Sequence, residues 1–137
     1  MNDKRAGFEE IAHTADCELK VWAPDLPGLM EQAALGMYQL MGVRLKNRTR
    51  KQRILKIQAP DAEGLLVSFL SELLYLSDME GIAFQQFAFT FQTGEMMAKL
   101  EGASILSSEK EIKAVTYHNL NIQETRSGLG VCIVFDV

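Results

Sequence analysis

Asp136 ends the run Val131-Cys132-Ile133-Val134-Phe135, one residue before Val137. A carboxylate within so apolar a segment costs several kcal/mol unless it is paired or bound to a cation. Val137 adds a terminal carboxylate one residue on. A third acidic group beside these two would complete an oxygen-rich site suited to a hard cation such as Ca²⁺ or Mg²⁺. The alternative is an aspartate exposed at a chain end. Four other polar residues flank apolar stretches: His13 and Asp16 in "HTADC", and Lys113 and His118 in "KAVTYH". The sequence contains no GxSxG, P-loop, HExxH, EF-hand loop or CxxC pair, so no local motif assigns an enzyme. Cys17 and Cys132 stand at opposite ends of the chain in apolar surroundings, which predicts buried free thiols rather than a disulfide.

Short strands and two helices must position these residues. Phe8 to His13 and Cys17 to Ala23 alternate like strands around Thr14-Ala15-Asp16, and the breaker cluster Pro24 to Gly28 follows. Leu29, Ala33, Met37, Leu40 and Met41 keep a helical period up to Gly42, a natural stop. A strand is predicted from Ile54 to about Ala59, and Asp61 is placed to cap a second helix. That helix carries Leu65, Leu66, Phe69, Leu70, Leu73, Leu74 and Leu76 on one stripe, which makes it the central core element.

Phe87, Phe89 and Phe91 alternate with polar or small residues before Thr93-Gly94 turns into Met96, Ala98 and Leu100, a clear hairpin signal. The phase change at Gln85-Gln86 predicts a bulge or a change of strand direction. Two further strands are expected, from Glu111 to about Glu124 and from Leu129 to Val137. The order is close to ββαβαββββ. It predicts an α+β fold: a single-domain two-layer sandwich over residues 1–137, mostly antiparallel, with two main helices on one face and residues 1–6 flexible.

The chain has 137 residues, 47% of them hydrophobic and 23% charged, enough for one sizeable core. No window reaches the ~18 uninterrupted apolar residues of a membrane span, and no apolar signal region follows the start. A cytoplasmic protein without membrane association is expected. The formal charge of −4 conceals an asymmetry. "VRLKNRTRKQR" holds Arg44, Lys46, Arg48, Arg50, Lys51 and Arg53 without an acid, so an anionic body carries one cationic loop. Such a loop suits phosphate or an acidic protein face, the alternative being a solvated connector.

"IAHTADCELKVWA", "LMEQAALGMYQLM", "LLVSFLSELLYL", "KAVTYHNL" and the ending "VCIVFDV" together resemble the archease family, in order and over nearly the whole chain. The resemblance implies a small α+β protein that has no catalytic residues of its own. It would activate a GTP-dependent RNA ligase in tRNA splicing and RNA repair, promoting ligase guanylylation and turnover, and would meet RNA only through that ligase. It also implies a divalent-ion site built from Asp16, Asp136 and the Val137 carboxylate, with Ca²⁺ the first expectation and Mg²⁺ or Mn²⁺ the alternatives. Lys113 and His118 match the family's KAVTYH segment, where the lysine would touch nucleotide phosphate or neutralise carboxylates. His13 and His118 are expected to orient neighbours rather than to bind the ion. One position departs: archeases commonly carry an acid before the HTAD histidine, and here that residue is Ala12.

Two other readings compete with the accessory protein. One is a metal-dependent hydrolase with Asp16 or Asp136 as general base. The other is a metal-independent interaction or chaperone-like module. In the leading reading Arg48, Arg50 and Lys51 serve docking rather than metal chemistry.

Overall fold

The computed structural model describes residues 5–12 and 17–137. Strands β1 (Gly7–Ala12) and β2 (Cys17–Ala23) pair antiparallel. Helix α1 follows over Leu26–Met41, beginning inside the cluster that the sequence marks as a breaker. Asp25 is the reason: its carboxylate accepts from the Gly28 N–H at 2.9 Å, and Pro27 falls in the first turn, where a missing N–H costs nothing. The helix ends where expected, at Gly42, whose left-handed φ of 64° only glycine adopts freely. Helix α2 (Ala62–Glu80) starts at the predicted cap, with Asp61 accepting from the Gly64 N–H at 2.7 Å.

The cationic stretch is less of a loop than its charge suggests. Arg44–Leu45 forms β3, and Lys51–Gln58 forms β4, three residues earlier than predicted, so only residues 46–50 connect them. Both strands pair with β6; along β4, Lys51 and Arg53 share the half-buried face with Leu55 and Ile57, and Gln52, Ile54 and Lys56 are exposed on the other. β5 (Ile82–Gln92) and β6 (Glu95–Ser107) form the predicted hairpin, and the phase change is a bulge, with register shifting between Phe84 and Gln86. Glu111 to Glu124 is not one strand. It contributes only β7 (Ala114–Val115) and β8 (Gln123–Thr125), separated by a turn in which Asn119 takes a φ of 52°. β9 (Gly128–Asp136) closes the fold.

The fold class is α+β and predominantly antiparallel, but the strands form two sheets. One runs β1-β2-β9-β7, with β8 also on β9; in the other, β6 lies between β5 and the β3 and β4 pair. α1 packs chiefly on β1 and β2, α2 on β4, β5 and β7, and one hydrophobic core joins both sheets to both helices. Leu66, Phe69, Leu70 and Leu73 of α2 are fully buried, as their stripe predicts. Phe69 meets Phe89 edge to face, with ring centroids 5.4 Å apart. Among the described residues no helix is long and apolar enough to cross a membrane.

The bulge constrains the core in a second way. A Cβ at Gly102 would lie 1.9 Å from the Ala83 carbonyl oxygen, so β5 and β6 approach closely there only because the residue has no side chain. Leu70→Ala should lower unfolding free energy by about 2–5 kcal/mol through the cavity it leaves. Gly102→Ala should destabilise by about 1–3 kcal/mol or more, because the contact is with backbone that cannot rotate away. Urea denaturation of both variants measures these losses.

Candidate functional site

β9 is hydrogen-bonded on both sides, and the register at its end brings three separate sequence segments together. Cys17, the residue after Asp16, pairs with Phe135, the residue before Asp136. Val115, inside KAVTYH, pairs with the same Phe135 from the other side, and Ala114 pairs with Asp136. Phe135 is fully buried and anchors this end of the sheet. His13 and Asp16 themselves lie outside the described residues.

Asp136 is exposed, the alternative to a carboxylate held inside an apolar strand end, but it belongs to β9 and not to a frayed end. Strand alternation explains it: Val131, Ile133 and Phe135 point into the core, so residue 136 points out. Its backbone is fixed, because the Lys113 N–H donates to the Asp136 carbonyl at 2.7 Å. No side chain among the described residues pairs with its carboxylate. Val137 is half-buried and packs against the core. Hard oxygen donors of this kind fit Ca²⁺, Mg²⁺ or Mn²⁺. Among the described residues no three His, Cys, Asp or Glu side chains cluster closely enough to hold an ion.

Lys113 is exposed next to the Asp136 backbone, whereas His118 lies further along the opposite direction of the sheet. The Thr116 N–H and hydroxyl both donate to the Val134 carbonyl at 3.0 Å, and the His118 N–H donates to Thr116 Oγ1 at 3.3 Å. The exposed His118 ring lies 3.2 Å from the Asn119 side-chain amide. Arg48 and Arg50 lie in the β3–β4 connector and Lys51 begins β4 of the second sheet, so none shares a strand pairing with Asp136. Arg50 is ion-paired with Glu101, while Arg48 and Lys51 have no ion-pair partner among the described residues.

Two positioning residues escape the sequence reading. Thr116 is one. Glu63 is the other: its Oε2 accepts from the Ile122 N–H at 2.9 Å and ties the end of the KAVTYHNL segment to the first turn of α2. An acid in a first helical turn is common, so the only signal for Glu63 was its proximity to the Asp61 cap.

Residues 8–137 match the model of the Archease protein family (MTH1598/TM1083). The chain is 33% identical over 129 residues to the archease of Thermococcus kodakarensis, covering 88% of this chain and 91% of the relative. It is 31% identical to the archease of Methanosarcina barkeri across the full length of both. Among solved structures, it resembles protein 1598 of Methanobacterium thermoautotrophicum, with a TM-score of 0.72, 25% identity, and coverage of 96% and 99% of the two chains. An archease of Thermotoga maritima, described as a possible chaperone, shares the fold with a TM-score of 0.70 at 23% identity, over 94% and 96% of the two chains.

Cys132, on β9, differs from expectation in being half-buried, and it is a free thiol. Its Sγ donates to Glu18 Oε1 at 2.7 Å. Burial first, then the Glu18 hydrogen bond and negative charge, push the thiol up to about 11, against a small opposing effect of Lys20. The neutral thiol is thereby favoured, and little thiolate forms at pH 8. Iodoacetamide should modify Cys132 at least about tenfold more slowly than an ordinary exposed cysteine at that pH, with the rate still climbing between about pH 9 and 11. Glu18→Gln should accelerate it. Peptide mapping by mass spectrometry separates Cys132 from Cys17.

Proposed function

The chain belongs to the archease family, and from that premise we propose that it is a metal-binding accessory protein that activates a GTP-dependent RNA ligase. The observation that supports this most is the register at the end of β9. Cys17 and Val115 flank Phe135, so the segments carrying HTAD, KAVTYH and the final aspartate meet at one sheet end. A site assembled from strands distant in sequence, on the rim of a rigid sheet, is suited to presentation to a partner.

In this reading Asp16, Asp136 and the Val137 carboxylate hold a divalent ion, Ca²⁺ first and Mg²⁺ or Mn²⁺ as alternatives. The ion supplies concentrated positive charge that one set of carboxylates can hold and a nucleotide phosphate can share. The chain's own contribution is positional. Phe135 anchors β9 in the core, the Lys113 N–H fixes the Asp136 backbone, and Thr116 and Glu63 hold the KAVTYH segment beside it. Lys113 offers a cation at the same rim for a phosphate of the ligase's nucleotide. Arg48, Arg50 and Lys51 contribute to association rather than to the ion site. The ligase keeps the covalent chemistry, in tRNA splicing and RNA repair.

Asp136→Asn should leave the fold intact, since the side chain is exposed, yet weaken Ca²⁺ and Mn²⁺ binding by about tenfold or more, because an amide lacks the charge that offsets dehydration of the ion. Asp16→Asn should do the same. Calorimetric titration, with circular dichroism to check folding, reads both. Adding each variant to a purified ligase with GTP and metal should give reduced guanylylation. Full stimulation by variants that bind no metal would select the metal-independent interaction module, and turnover of phosphate esters by the protein alone would select a hydrolase.

A further inference from the structure

The C-terminal end of α1 and the β3–β4 connector border an open, two-part groove on the sheet that does not carry Asp136. Two hollows, of about 450 and 640 Å³, share Leu45 and Gln85 as a common wall. The smaller has an apolar surface from the half-buried Leu35, Val43 and Leu45, with Gln39, Arg44 and Glu109 at its margin. The larger is polar, with Lys46, Asn47, Arg48 and Gln86 around it and the Glu101 carboxylate neutralised there by Arg50. We propose that this groove binds a nucleoside phosphate, the base in the apolar end and the phosphate among Lys46, Arg48 and the amides of Asn47 and Gln86.

The cationic end is a prepared structure. The Lys46 N–H donates to the Ser104 carbonyl at 2.8 Å, and the Ser104 N–H donates to Thr49 Oγ1 at 3.1 Å, so the connector is clamped to β6 on both sides of Arg48. Arg48 takes a φ of 65°, a left-handed conformation that is unfavourable for a residue with a side chain. Such strain persists only where surrounding contacts impose it, and it accumulates at binding sites. Arg50 and Arg53 are engaged with Glu101 and Glu80. Arg44, Lys46 and Arg48 have no ion-pair partner among the described residues, so their charge is available to an anion.

The apolar end selects the rest of the ligand. An acyl chain would cover Leu35, Val43 and Leu45 but would make no use of the exposed Gln39 and Gln85 amides and Glu109 carboxylate beside them. A flat heteroaromatic ring covers the same surface and offers donors and acceptors on its edge. Tyr38 lines this end too; its buried hydroxyl has no well-formed hydrogen bond, although the Phe84 backbone lies close to it. The size of each hollow is of the order expected for a small-molecule site. The proposal gives a ligand class to the connector's docking role, and it is independent of the ion site.

Titration of isotope-labelled protein in chelator, followed by NMR, tests it with adenosine and uridine 5′-monophosphate, the two nucleosides, inorganic phosphate, dodecyl phosphate and an acidic peptide. The nucleotides should shift the amides of residues 43–50 and 84–86, and bind at least about tenfold more tightly than phosphate or nucleoside alone. Lys46→Ser with Arg48→Ser should weaken nucleotide binding by about tenfold or more, while Gln39→Leu should weaken the nucleotide and leave phosphate unchanged. An oligonucleotide with a terminal phosphate should shift the same amides, and whichever of it and the free nucleotide binds more tightly identifies the source. Equal binding of phosphate and nucleotide, tighter binding of dodecyl phosphate or the acidic peptide, or no shift at these residues would each overturn the proposal. Because chelator removes divalent metal, failure here leaves the accessory-protein reading untouched.

Discussion

β9 must be hydrogen-bonded along both edges before the carboxylate end of this protein exists. β2 pairs with it from Cys17 to Ala23, and β7 and β8 occupy its other edge at the two ends. Val131, Ile133 and Phe135 are thereby driven into the core, which turns Asp136 outward by strand alternation alone. The burial of Phe135 and the exposure of Asp136 are one constraint. A register slip of one residue would bury the carboxylate and expose the phenyl ring, and each change is unfavourable.

The second sheet depends on an equally local requirement. β5 and β6 come together at the bulge because Gly102 presents no side chain to the Ala83 carbonyl. The register shift there exposes Gln85 and Gln86, and it leaves Phe84 buried while Phe87 and Phe89 turn toward Phe69 of α2. The bulge therefore shapes both the aromatic part of the core and the polar groove outside it. Opposite charges are separated in the same way: uncommitted cations collect around the β3–β4 connector, and the carboxylate end belongs to the other sheet.

This division gives the accessory-protein reading a physical form. Ion-binding carboxylates and a cationic groove would neutralise each other if adjacent, as Arg50 and Glu101 do. Held on different sheets that share one core, they stay apart. The helices supply the rigidity, since α1 reaches β5 and β9, α2 reaches β7, and their buried stripes belong to one core. Neither sheet can shift without disturbing packing that the other shares.

Elements whose signals are local were legible in the sequence. Asp61 and Gly42 delimit helices through their own backbone chemistry, the Leu and Phe stripe of α2 has a strict helical period, and Thr93-Gly94 turns the hairpin whatever surrounds it. Family resemblance, carried by short segments, named Asp136 as a ligand candidate. What the sequence could not supply depends on partners far along the chain. Arg44–Leu45 and Lys51 are strand because β6 offers a hydrogen-bonding edge, although their charge reads as loop. Ala114–Val115 is cut short because the turn around Asn119 leaves the sheet and is tied back by Glu63, 59 residues away. The division into two sheets and the groove walled by Leu45 and Gln85 were decided by tertiary structure alone, because each arises from residues whose contact has no trace in their spacing.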